Sequence, residues 1–136
     1  AAENTPFGKA VKTLVTGPEA KLPHPYTFQD YHGNERREAR LAWWNAGAST
    51  WPEATLSVPD PSELPAGQLP EDAAAVIYSP DSLPVLVGHY KMIGEPRIEH
   101  PKAASLDYPE QPCIYLWSGE DRLSQDCLQT IYYLGR

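Results

Sequence analysis

Basic residues, sulfur and long apolar runs are all scarce in this sequence, and each shortage removes a class of function. Lys and Arg number 11 against 18 Asp and Glu, a formal net charge of −7, so a nucleic-acid backbone is not the expected partner. No run of about 18 apolar residues occurs, and no membrane-spanning segment is expected. Two cysteines, Cys113 and Cys127, are too few for a disulfide framework, and no C-x-x-C is present. A structural zinc site is therefore not expected, and reduced thiols in a cytoplasmic chain are. The opening residues "AAENTPFGKAVKT" lack the charged and apolar regions of a secretory signal.

Proline, by contrast, is abundant. The 136 residues include 15 prolines, about twice the usual share, and the chain is long enough to bury a real core. Many short elements joined by irregular surface are expected. Six of the prolines fall between Pro52 and Pro80, and Thr50 to Pro80 reads as loop, the kind of long insertion that is often functional or a linker. There are no internal repeats.

The periodicities suggest a mixed α/β organisation. Thr5-Pro6 reads as a helix start, Phe7, Ala10, Val11, Leu14 and Val15 recur at helical spacing, and Gly17-Pro18 ends the run. This amphipathic helix has nothing to pack on within its own segment. Tyr26 and Phe28 alternate with polar neighbours like a half-buried strand, and His32 to Asn34 is turn chemistry. Asn34 is expected to cap a helix from about Glu35 to Trp44 that Gly47 closes, with Arg36, Arg37 and Arg40 near one another on it. The last third reads as strands at Ala75 to Tyr78, Pro84 to His89, Ala103 to Tyr108, Cys113 to Trp117 and Thr130 to Leu134. "YPEQP" (Tyr108 to Pro112) is expected to be a hairpin connection, and "WSGEDRLS" (Trp117 to Ser124) to carry a Gly-containing turn. We place the boundary at position 80: residues 1–80 form a helical, Pro-rich, cap-like segment, and 81–136 a set of β-strands.

The segment "PVLVGHYKMIGEP" (Pro84 to Pro96) delivers an imidazole from the end of an apolar strand. Imidazole is a ligand for zinc-, iron- and manganese-type ions and a general acid or base near neutral pH. A strand fixes where His89 sits, and Gly88 before it permits close backbone approach or a φ that other residues avoid. The plainer alternative is a strand that ends at a structural histidine. "DYHGNE" (Asp30 to Glu35) contains D-x-H and G-N-x-E spacings, but six contiguous residues cannot surround two metals about 4 Å apart; an exposed turn is expected there. Of the tryptophans, the Trp43-Trp44 pair is expected to serve packing. Arg36 and Arg37 are candidates for a phosphate, whose oxygens guanidinium matches bidentately; the plainer reading is a solvated face paired with Glu35 and Glu38.

The order of parts, "VLVGHY", then "KMIGEP", then "AASLDY" ending at Asp107, then "CIYLWSGE", resembles the C-terminal end of calcineurin-like metallophosphoesterases. The resemblance is close to the branch of the bacterial protein phosphatases and symmetrical diadenosine-tetraphosphatases. Upstream, the short helix, Gly17-Pro18-Glu19, the aromatic strand, the D-x-x-G-x-x-R-R-E turn-to-helix from Asp30 and the paired tryptophans follow the same order, so the similarity runs from about Ala10 to Leu134. By this resemblance His89 corresponds to a metal ligand, Gly88 to its strand-end glycine, and Asp107 to a hydrogen-bonding or structural group. The fold implied is the C-terminal part of a two-sheet α/β sandwich with a helical cap-like insertion, an incomplete domain. The cofactor implied is a pair of divalent ions of the Mn, Fe or Zn type in the parent enzyme, with a phosphoprotein or a nucleotide as substrate.

The family's D-x-H, G-D with a downstream D-R-G, and G-N-H-E motifs do not occur here in usable form, and its Gly-Gly hairpin is replaced by "YPEQP". The expectation is thus an inactive C-terminal piece of a phosphoesterase that binds metal weakly by itself and self-associates through exposed strand edges. Two alternatives stay open: a stand-alone, non-catalytic protein-interaction domain whose Gly-His is structural, and an intact hydrolase using His89 with Asp107. The latter is disfavoured because no nucleophile with a base and orienter can be assembled.

Overall fold

The computed structural model describes residues 4–74 and 78–132. The chain is mixed α/β, with several small sheets and few helices, and divides into two compact units, Ala1–Ile77 and Tyr78–Arg136.

In the first unit, α1 (Pro6–Thr16) forms as its sequence predicts. The Thr5 side chain accepts from the Gly8 N–H at 3.0 Å, Pro6 occupies the first turn, and Gly17 closes the helix with its N–H on the Thr13 carbonyl. No residue of α1 is buried; Phe7 and Leu14 are 79% and 88% exposed, so its apolar stripe is left uncovered by the described residues of the unit.

The expected helix from Glu35 to Trp44 is not formed. Residues 35–41 instead supply β3 (Glu35–Arg36) and β4 (Glu38–Leu41). β2 (Phe28–Gln29) pairs antiparallel with β3, and β1 (Glu19–Lys21) and β5 (Thr55–Leu56) flank β4 antiparallel, in the order β1-β4-β5. The physical reason is the period-2 pattern of "EARL": Ala39 and Leu41 are buried while Glu38 and Arg40 lie on the other face. A short helix is marginal by itself, and burying one face of a three-stranded sheet outweighs the helical propensity of Glu, Arg, Ala and Leu. Asn34, expected to cap a helix, closes the β2–β3 turn with its N–H on Asp30 Oδ1. Trp43 and Trp44 stand edge to face at 5.0 Å in the turn that follows β4, not on a helix.

Nor is the segment after Thr50 plain loop. It holds α2 (Trp51–Ala54), β5, a 3₁₀ turn at Pro61–Glu63 and α3 (Glu71–Ala74), with prolines in the first turns of α2 and the 3₁₀ segment. Glu53 Oε2 accepts the Ser49 and Thr50 N–H groups, which satisfies donors at the start of α2. Trp51, 1% exposed, packs with Leu22, Phe28, Ala39 and Leu64 to form the core, and a second cluster joins Leu41, Ala54 and Ala73.

In the second unit, β6 (Val85–Val87) and β7 (Ala103–Ser105) pair in parallel, with Val87 opposite Ser105. β8 (Cys113–Tyr115) and β9 (Leu128–Thr130) pair antiparallel. "YPEQP" is therefore not a hairpin connection: it turns the chain from β7 into β8, strands of different sheets, with the Gln111 N–H on the Tyr108 carbonyl. A turn with Gly119 at φ +95° does join the β8–β9 hairpin. The strand expected at Thr130 to Leu134 lies earlier, at Leu128–Thr130; Ile131 and Tyr132 are in no strand, and Tyr133 and Leu134 lie outside the described residues. Of the expected strand Ala75 to Tyr78, residues 75–77 lie outside the described residues, and Tyr78 is in no strand. No helix among the described residues is long and apolar enough to cross a membrane.

Candidate functional site

His89 follows β6 by two residues and is exposed. Its φ is +69°, in the left-handed region that few residues other than glycine adopt, histidine being, with Asn and Asp, among those found there more often. The special backbone conformation thus falls on the histidine and not on Gly88, which is absent from the positive-φ glycines and where a Cβ would meet nothing within 4 Å. Neither reason expected for Gly88, close approach or an unusual φ, applies. Such strain costs of order 1–3 kcal/mol and clusters at functional positions, where the surrounding structure enforces it.

The enforcement is visible. The Val87 carbonyl accepts the Leu106 N–H at 2.8 Å, the Tyr90 carbonyl accepts the Ser105 hydroxyl at 3.1 Å, and the Met92 N–H donates to the Asp107 carbonyl at 2.9 Å. Because β6 and β7 are parallel, His89 and Asp107 both follow the carboxyl ends of their strands, each two residues beyond the Val87–Ser105 pair. Asp107 is half-buried, and its N–H donates to Ser105 Oγ at 3.2 Å.

Beneath this edge lies a polar knot. Glu99 Oε1 accepts the Tyr108 hydroxyl at 2.7 Å, and Oε2 accepts the Ser105 N–H at 3.1 Å. Burial, together with the bond to Glu99, pushes the Tyr108 phenol up to about 12. Burial also raises the Cys113 thiol, with Glu99 adding to the effect, so this cysteine is protonated and poorly nucleophilic at neutral pH. Both cysteines are free. His100 is engaged, its Nδ1 accepting the Lys102 N–H. The Lys102 ammonium is buried and bonded to the carboxylate and carbonyl of Asp121. Sequence reasoning missed Glu99, Ser105 and Lys102; the only signal was polar residues in and just before an apolar strand.

In the first unit, Asp30 organises the "DYHGNE" turn as an exposed loop. Its carboxylate accepts the His32 and Asn34 N–H groups and is joined by Arg36, with Nε and NH2 both at 2.8 Å. These bonds, above all that from the Asn34 backbone, hold its carboxyl well below the usual range. Arg36 is therefore held in the hairpin, while Arg37 makes only a long 3.6 Å pair with the exposed Glu35. Neither arginine lies on a helix, and both belong to the first unit, whereas Gly88, His89 and Asp107 belong to the second. Among the described residues, no group of three or more His, Cys, Asp or Glu is placed to hold a metal ion. No family model, curated protein or solved structure matches this chain.

A left-handed histidine can be tested by removing its strain. His89→Gly is expected to raise the stability of the second unit by about 0.5–1 kcal/mol, since glycine adopts positive φ freely. The measurement is urea unfolding. A loss of stability in its place would assign the ring a structural role.

Proposed function

We propose that this chain is the C-terminal part of a cytoplasmic, metal-dependent phosphoesterase, in which His89 contributes one metal ligand. The observation that carries the reading is the exposed imidazole held in a left-handed conformation beyond the carboxyl end of a parallel strand. Ligands in α/β sheets gather at such strand ends. The order of motifs around "VGHY" and "LDY" supports it.

The donor set fits one ligand position, not a complete centre, so on this reading the other ligands come from polypeptide outside these 136 residues. When bound, two divalent ions of the Mn, Fe or Zn type polarise the phosphoryl group and activate water. The chain's own residues have simpler roles. His89 holds an ion, and Asp107 fixes the strand end through its backbone. The full architecture would be the two-sheet sandwich of that family, and the substrate a phosphoprotein or nucleotide.

Two tests follow. The gene upstream of Ala1 is expected to encode D-x-H and G-N-H-E; a start codon directly before Ala1 contradicts the proposal. The 136-residue chain with Mn²⁺ is expected not to hydrolyse p-nitrophenyl phosphate. Turnover abolished by His89→Ala would show that the site is complete within this chain.

A second reading, a protein-interaction domain, is favoured by one feature. Ile114, Leu116, Trp117, Ile131 and Tyr132 are all exposed on or beside the β8–β9 hairpin. Exposed apolar residues next to unpaired strand edges suit self-association or a protein partner.

A further inference from the structure

We propose that Ser105 is a positioning residue for His89: its buried hydroxyl ties the backbone just beyond the histidine to the end of β7 and holds the histidine in its left-handed conformation. The functional meaning of this role rests on the reading of His89 as a metal ligand; the geometry does not.

Ser105 is fully buried, at 0% exposure. A hydroxyl in such a place requires partners, and it has one on each side. It donates to the Tyr90 carbonyl at 3.1 Å and accepts the Asp107 N–H at 3.2 Å. The residue's own N–H is held by Glu99 Oε2, which leaves the hydroxyl as the group that faces the β6 exit.

Beyond the strand ladder, the segment from Val87 to Met92 is tied to the end of β7 through the Val87 carbonyl, the Tyr90 carbonyl and the Met92 N–H. His89 lies between the first two. The first and third are backbone-to-backbone bonds that any sequence could form. The second runs through a side chain, so it is the one a substitution can remove. A non-glycine residue at positive φ persists only where its surroundings over-determine it, and Ser105 supplies the tie next to the strained residue. Alanine at 105 would remove the donor to the Tyr90 carbonyl and the acceptor of the Asp107 N–H together, and would free His89 to relax toward ordinary φ.

The test uses the full 136-residue chain, labelled for NMR, with Mn²⁺ as the probe. In Ser105→Ala, the His89 backbone shifts and N–H to Hα coupling are expected to move away from left-handed values. The Asp107 amide is expected to exchange about tenfold faster, the effect of losing one hydrogen bond. The Mn²⁺ concentration that half-broadens the His89 ring signals is expected to rise several-fold. Ser105→Cys keeps a weak donor and acceptor in a somewhat larger side chain, so it should restore part of each effect, which a purely space-filling role would not require. A folded Ser105→Ala chain with an unchanged His89 backbone overturns the proposal. If Ser105→Ala does not fold, Ser105→Cys is read by the same criterion. Absence of any Mn²⁺ effect on His89 in the unaltered chain instead rejects the ligand reading. The two failures are therefore distinguishable.

Discussion

Trp51→Ala is expected to lower the stability of the first unit by about 3–5 kcal/mol, the range for truncating a fully buried tryptophan. Trp51 is 1% exposed and sits among Leu22, Phe28, Ala39 and Leu64, residues drawn from just after β1, from β2, from β4 and from the segment after the 3₁₀ turn. Removing the indole leaves a cavity at the point where these pieces meet. Small domains are stable by only about 5–15 kcal/mol in all, so most of the unit's margin would be lost. The comparison variant is Trp117→Ala. Trp117 is 62% exposed, and its Nε1 donates to the Glu120 carbonyl; its removal should cost about 0.5 kcal/mol or less. Urea unfolding followed by circular dichroism makes the comparison. Equal losses from the two variants would contradict the assignment of the core.

Glu99→Ala is expected to cost the second unit roughly 2–4 kcal/mol, because it orphans two buried donors, the Tyr108 hydroxyl and the Ser105 N–H. Glu99→Gln keeps one acceptor oxygen and should lose about half as much. The same variant carries a pH signature. Tyr108 is raised, first by burial and then by its bond to Glu99, from an unfolded value near 10 to about 12. The protonated phenol is the form that folding favours. Its contribution is therefore fully present below about pH 10 and is lost as pH rises toward about 12. Tyr115, bonded to Glu120, is also raised to about 12 by burial and that bond. Tyrosinate absorbance should thus show a late-titrating phase in the unaltered chain to which Tyr108 and Tyr115 contribute. In Glu99→Ala, Tyr108 should titrate earlier than in the unaltered chain, by the part of its shift that the Glu99 bond supplies, while Tyr115 is unmoved. A late phase unchanged by Glu99→Ala would show that Glu99 does not act on Tyr108.

How far the fold could be read from sequence depended on whether the deciding forces were local. Helix α1 was legible because Thr5, Pro6 and Gly17 act on their own neighbours. The strand before His89 was legible because an apolar run ended by Gly is a local signal. The segment 35–44 misled because Glu, Arg, Ala and Leu favour helices locally, while the alternation of Glu38, Ala39, Arg40 and Leu41 matters only once β1 and β5 lie beside it. Thr50 to Pro80 looked like surface because its prolines hid the role of Trp51, and proline in the first turn of a helix is compatible with one. The supposed hairpin at "YPEQP" failed for the opposite reason. The turn exists, but β7 finds its partner across the crossover from β6.

At the candidate site the sequence located the histidine but put the unusual backbone on the wrong residue. Glycine is the default for positive φ, yet His89 takes it, because its neighbours Val87, Tyr90 and Met92 are all fastened to the β7 end. Ser105 supplies the side-chain tie among them, its own N–H held by Glu99, and both residues look unremarkable in the sequence. Nothing local marks a serine in a strand as fully buried, or a glutamate six residues earlier as its partner.

The account stands on an imidazole that is free to take up a cation. The direct measurement is a Mn²⁺ titration of the four histidine ring signals in the 136-residue chain. His89 is expected to broaden at lower Mn²⁺ than His24, His32 or His100, the last of which already accepts the Lys102 N–H, and His89→Ala should leave no preferred site. Equal broadening of all four rings, or broadening led by any of the other three, would contradict the account.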